Sequence, residues 1–129
     1  MRVFIFGAGK VGRALAPAMR KAGHHVTLRP ARKGLPKNRI AADFVLLAVR
    51  DGDLVRLADE IVARRLVEKK AVCAHAAGSR DASPLAALRS VCQGVVQFHP
   101  MISFASTRMF PTLDRGHVHV KGDRAAEVR

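Results

Sequence analysis

Apolar residues along the chain fall into short unbroken runs and stripes at helical spacing, and the two kinds of segment alternate. Val3-Phe4-Ile5-Phe6 is a run. It is followed by Val11, Leu15, Ala18, Met19 and Ala22, which recur every three or four residues. The pattern predicts a buried strand feeding a helix from about Lys10 to Ala22, with Gly23 as its left-handed stop. Pro17 is the irregular position: it lacks the N–H that would reach the Arg13 carbonyl, so a kink is expected there. His24 to Leu28 reads as a second strand, and Arg29 to Gly34 as the polar loop at its carboxyl end. Leu35 to Ala42 follows neither period.

Asp43 to Val49 is almost continuously apolar, as suits a parallel strand covered on both faces. Leu54, Leu57, Ala58, Ile61 and Val62 then mark one side of a helix, with Asp51 or Asp53 as its expected cap. Ala71 to His75 reads as a strand. Ser83 is expected to cap, and Pro84 to open, a short helix carrying Leu85, Leu88 and Val91. Gly94 breaks to a strand at Val95 to Phe98, and His117 to Lys121 reads as another. Arg124 to Arg129 resembles the first turns of a further helix. Strands alternating with helices imply right-handed βαβ units, and hence an α/β, Rossmann-type three-layer fold with a mostly parallel sheet.

With 129 residues the chain is expected to form one domain, long enough for a core but about half of what a two-domain dehydrogenase needs. We expect a dinucleotide-binding domain that is truncated or stands alone, with no carboxyl-terminal helical domain. No apolar stretch approaches the roughly 20 residues of a membrane span. The short run before the first glycines is no signal peptide, so a cytoplasmic protein is expected. Cys73 and Cys92 show no metal-ligand or CxxC spacing and read as buried thiols, and no metal site is expected.

The net charge of +13 implies attraction to anions. Nucleic-acid modules pair basic patches with exposed aromatics. This chain has no Trp or Tyr, and its bases are scattered, so a solvated basic surface is favoured over a nucleic-acid site.

The first strand runs straight into Gly7-Ala8-Gly9-Lys10-Val11-Gly12, a GxGxxG loop with a strand before it and a helix after it. In such a loop the first glycine makes the tight turn, the second lets backbone approach a pyrophosphate, and the third lets helix and sheet pack closely. The helix-start amides then face the phosphates. Sites that prefer NAD place an acid about 20 residues beyond the loop to bind the ribose 2′-hydroxyl, and NADP sites place an Arg there. Here Arg29 stands at that position, Arg32 and Lys33 follow, and no acid lies near in sequence, which favours NADP.

Ligands of an open parallel sheet sit beyond the carboxyl ends of its strands. Those ends carry Ala48-Val49-Arg50, then His75 with Ser79 close behind, then His99 with Ser103 close behind. A neutral imidazole beside the nicotinamide can exchange a proton with a substrate hydroxyl while Ser79 or Ser103 orients the oxygen. His75, His99 and Ser79 are therefore the catalytic candidates. A hydrogen bond to backbone is the competing role for either His.

Together, Gly7 to Gly12, Leu47-Ala48-Val49-Arg50-Asp51, His75-Ala76-Ala77-Gly78 and His99-Pro100-Met101 resemble the Rossmann-like NADP-binding domain of the 6-phosphogluconate dehydrogenase-like superfamily. The resemblance is strongest to a little-characterised oxidoreductase group with "H-x-x-G" after one strand and "H-P" after the next. The superfamily includes pyrroline-5-carboxylate reductase and prephenate dehydrogenase. His99-Pro100-Met101 matches the start of the prephenate dehydrogenase HPMxG motif, whose His is catalytic, but Ser103 stands where its glycine would be.

The resemblance implies NADP(H) as cofactor, a small-molecule substrate, and a helical domain supplying substrate contacts and a dimer interface, which leaves a homodimer open. The expected cofactor residues are Gly7, Ala8, Gly9, Lys10, Val11 and Gly12 at the pyrophosphate, Arg29 and Arg32 at the 2′-phosphate, and Ala48, Val49 and Arg50 on the ribose side. Two alternatives to an oxidoreductase stay open: a non-catalytic module that binds or senses NADP, and a basic nucleic-acid-binding domain, the less favoured of the two.

Overall fold

The computed structural model describes residues 1–76, 81–100 and 118–122, with only the backbone of His99, Pro100 and the last five. In chain order it contains β1 (Arg2–Phe6), α1 (Lys10–Lys21), β2 (His25–Arg29), β3 (Phe44–Leu47), α2 (Leu54–Arg64), β4 (Val72–His75), β5 (Gly94–Pro100) and β6 (Val118–Gly122). Short 3-10 segments lie at Ala31–Lys33, Asp51–Asp53 and Ser83–Ser90.

The strands form a single sheet in the order β2-β1-β3-β4-β5-β6. The first five are mutually parallel, and β6 runs antiparallel beside β5. The chain moves outward from β1 to β2 and then crosses back to place β3 on the far side of β1. Where the order reverses, the connections leave in opposite directions and a crevice opens between the carboxyl ends of β1 and β3.

Both faces of the sheet are covered, which is why the strands are apolar without a break. Val3 and Ile5 point to one face, where Leu15 and Ala16 of α1 pack against them and against Leu46 and Ala74. Phe4 and Phe6 point to the other. There they meet Leu54, Leu57 and Ile61 of α2, and the same cluster takes in Leu85 and Leu88 of the third 3-10 segment. Ile5, Leu46 and Ile61 are fully buried. Each such side chain stabilises the fold by roughly 1.5–3 kcal/mol relative to exposure.

α1 runs unbroken through Pro17 to Lys21, and Gly23 follows at φ +97° with its N–H on the Arg20 carbonyl. Asp53 ends a 3-10 turn and occupies the expected N-cap position of α2, but its carboxylate accepts from Arg56 Nη2 at 3.3 Å in place of a helix amide. A second cap differs from expectation. Ser83 is the first residue of its 3-10 helix, not its cap: its N–H donates to Asp81 Oδ1 at 2.9 Å, so the acid two positions earlier satisfies the turn.

The stretch from Leu35 to Ala42, which showed no period, forms the β2-to-β3 crossover without an α-helix. Leu35, Ile40 and Ala42 plug the core from irregular backbone, and the Ile40 N–H is tied to the Leu66 carbonyl at 2.6 Å.

Candidate functional site

Gly7 leaves β1 at φ +119°, a conformation that L side chains rarely adopt, with its N–H on the Arg29 carbonyl at 2.8 Å. A Cβ there would lie 2.1 Å from the Ala48 carbonyl oxygen. At Gly12 a Cβ would lie 2.0 Å from the Gly7 carbonyl oxygen, so these two glycines hold the turn, β3 and α1 in close contact. Gly9 differs: a Cβ there meets no protein atom within 4 Å. The space it leaves open belongs to the crevice. Gly9 is also the N-cap of α1, so it offers the first amides no side chain, and the first turn of the helix carries no acid. Lys10 adds a cation to that end.

A cleft of about 640 Å³ lies at the sheet's reversal point. Gly7, Ala8 and Gly9 form one end, and Ala48, Val49 and Arg50, just beyond β3, form the adjoining wall. Arg32, on the turn after β2, lines it as well. Phe6, Leu35 and Leu57 contribute apolar surface. Glycine backbone and cations around an apolar surface suit an extended, anionic, ring-bearing ligand.

The cleft thus brings together seven of the expected cofactor residues: Gly7, Ala8, Gly9, Arg32, Ala48, Val49 and Arg50. Lys10, Val11, Gly12 and Arg29 are not in its lining. Gly12 is buried beneath the loop, Val11 packs on the α1-side core, and the Arg29 guanidinium donates to the carbonyls of Lys33 and Gly34.

Asp53, Arg56 and Glu60 of the α2 region also line the cleft, and the sequence reading missed them. Spacing of three and four residues puts them, with Leu57, on one side of α2, a signal read only for its apolar half. They bring two acids into the cleft, although none lies near Arg29 to Lys33 in sequence. Both carboxylates are matched by cations, Asp53 with Arg56 at 3.3 Å and Glu60 with Arg64 at 3.2 Å.

At the end of β4, His75 is fully buried, and its Nε2 is hydrogen-bonded to the Asp81 carbonyl. A carbonyl only accepts, so Nε2 carries the proton. The ring is thus engaged with backbone, the competing role named for either His. His99 is the penultimate residue of β5, paired in register with His119 of β6. Ser79 lies outside the described residues, as do Gly78, Met101, Ser103, His117 and the stretch from Arg124 to Arg129. Cys73 and Cys92 are buried thiols, not a disulfide. Their mutual hydrogen bond, followed by burial, pushes the Cys73 thiol well above its ordinary range.

No family model and no curated protein matches this sequence. Solved structures do match its fold. A prephenate dehydrogenase from A. aeolicus, in complex with hydroxyphenyl propionate and NAD+, aligns at TM-score 0.67 and 15% identity over 96% of this chain and 51% of its own. An imine reductase from Bacillus cereus aligns at TM-score 0.67 and 14% identity, over 96% and 48%. A 1-pyrroline-5-carboxylate reductase from Streptococcus pyogenes aligns at 0.63 and 13%, over 99% and 52%. The chain spans about half the length of these structures. At such identities the likeness is one of architecture, and the sheet order and the glycine loop agree with it: the chain has a Rossmann-type α/β fold.

Proposed function

We propose that the chain is the NADP-binding domain of an oxidoreductase that moves a hydride between NADP(H) and a small molecule. One observation carries the reading: the cleft sits at the reversal point of the sheet, with the glycine loop at one end and Arg32 in its lining. The nicotinamide nucleotide, when bound, supplies the hydride carrier. The backbone of Gly7, Ala8 and Gly9 and the first amides of α1, at Lys10, Val11 and Gly12, hold the pyrophosphate. Ala48, Val49 and Arg50 flank the ribose.

Arg32 meets the 2′-phosphate. The pairing of Asp53 and Glu60 with arginines supports NADP over NAD, because it leaves Arg32 uncancelled in the cleft. His99 exchanges the proton with substrate and Ser79 orients the reacting oxygen, while His75 holds the Asp81 peptide in place. Burial of the His75 ring favours a second reading, a non-catalytic module that binds or senses NADP.

Titration with NADPH, followed by cofactor fluorescence, tests the proposal. Saturable binding is expected, and none at millimolar cofactor would overturn it. His99→Ala separates the two readings: the enzyme loses NADPH turnover with small carbonyl or imine substrates while its NADPH affinity stays within about twofold. A module without catalysis shows no turnover to lose.

A further inference from the structure

Arg29 ends β2 and joins two parts of the cleft without lining it. Its carbonyl accepts the Gly7 N–H at 2.8 Å, where the glycine loop departs from β1. Its guanidinium donates from Nε to the Gly34 carbonyl at 2.6 Å and from Nη2 to the Lys33 carbonyl at 3.2 Å. Two donors of one planar fork thus grip two consecutive carbonyls, a geometry that a lysine ammonium does not reproduce.

Those carbonyls close the turn Ala31–Lys33. The turn is held further by the Lys33 N–H on the Pro30 carbonyl at 3.1 Å and the Gly34 N–H on the Ala31 carbonyl at 3.0 Å. It carries Arg32, which lines the cleft. Exposed, Arg32 has many rotamers to lose when it grips a ligand, and a fixed backbone beneath it reduces what remains to be ordered.

We infer that Arg29 is a positioning residue for the choice of cofactor: it anchors the 31–34 turn to the glycine loop so that Arg32 meets the 2′-phosphate, and it does not bind that phosphate itself. The inference rests on the NADP reading above. It separates two cations that the sequence presents as equivalent. Arg32 acts on the ligand, and Arg29 acts through Arg32.

A double-mutant cycle tests this. Affinities for NADPH and for NADH are measured by fluorescence titration for the unaltered chain, Arg29→Lys, Arg32→Ala and the double variant. Arg29→Lys keeps the charge and loses the fork. It is expected to lower the NADPH-over-NADH preference by about tenfold in the unaltered background, and by less than about twofold once Arg32 is Ala. Equal losses in both backgrounds would overturn the inference, because Arg29 would then act on the phosphate directly. An unchanged preference in Arg29→Lys would overturn it too.

Hydrogen exchange of the cofactor-free protein is the second arm. The Lys33 and Gly34 amides are expected to exchange at least about fivefold faster in Arg29→Lys. Unchanged exchange would show that Arg29 does not hold the turn. If the unaltered chain binds neither nucleotide or prefers NADH, the NADP reading fails and the role in cofactor choice falls with it, while the exchange result still decides whether Arg29 holds the turn.

Discussion

Three glycines that look alike in the motif carry different physical loads, and substitution by alanine separates them. At Gly12 a new Cβ meets the Gly7 carbonyl at 2.0 Å, and that atom is backbone, which cannot swing aside. Gly12→Ala is expected to destabilise the fold by roughly 1–3 kcal/mol, read as a lower urea midpoint. At Gly9 the new methyl meets no protein atom within 4 Å. Gly9→Ala should leave stability within about 0.5 kcal/mol while, on the proposed function, weakening NADPH by tenfold or more, because the methyl would fill the space assigned there to the pyrophosphate. Equal stability losses at the two positions would contradict that division. Sequence spacing already gives the three glycines different jobs, since each position of the motif has its own place in the turn. It did not show Glu60 and Asp53, whose place in the cleft follows from how α2 packs on the sheet.

Elements are held at their ends by particular contacts, and two of these can be tested. α2 stops at Arg65, which takes φ 48° without being glycine. Arg65→Gly removes that strain and should raise stability by about 0.5–1 kcal/mol, measured by denaturant unfolding. At the amino ends of β1 and β3, Asp43 Oδ2 accepts the Arg2 N–H at 2.9 Å, and the Asp43 N–H donates to the Arg2 carbonyl. Above all, the Arg2 amide bond lowers the Asp43 carboxyl from its ordinary 3.8 to about 2, aided by the Arg2 and Lys70 charges. Because the folded value is the lower one, Asp43 contributes stability that is full above about pH 4 and lost as pH falls towards 2. Asp43→Asn should flatten the fall in melting temperature across that window.

Strand runs and helical stripes were legible because each is a local periodicity set by burial. The β2-to-β3 crossover was not, since Leu35, Ile40 and Ala42 are buried from coil, where no repeat announces which side faces in. Caps failed in the same way. Asp81, not Ser83, satisfies the turn there, and several short polar residues in a row leave that choice to the final backbone path.

For the whole molecule, the placement of the thiols predicts one accessible state or none. Cys73 and Cys92 sit in the core between the sheet and the α2 side, and Cys73 is held protonated by its neighbour and by burial. Reaction with a thiol reagent should therefore track global unfolding, with both cysteines modified at one rate that rises with urea as the unfolded fraction does. Fast modification of either thiol under native conditions would show that the core opens locally at β4. Saturating NADPH at 100 times its dissociation constant should slow that reaction further, by about 2.7 kcal/mol of added stability.

The crossing of β3 over β1 has a consequence in time. Every parallel pairing joins distant parts of the chain, Arg2 with His25, Val3 with Phe44, Phe44 with Val72 and Val72 with Gly94. No early hairpin can template these strands, because a parallel pair needs its whole crossover in place first. The chain must close large loops before their contacts begin to reward it, which sets refolding in the millisecond-to-second range expected of high contact order. The crevice is assembled by the closure that puts β3 beside β1, so it takes shape only as the slowest contacts form.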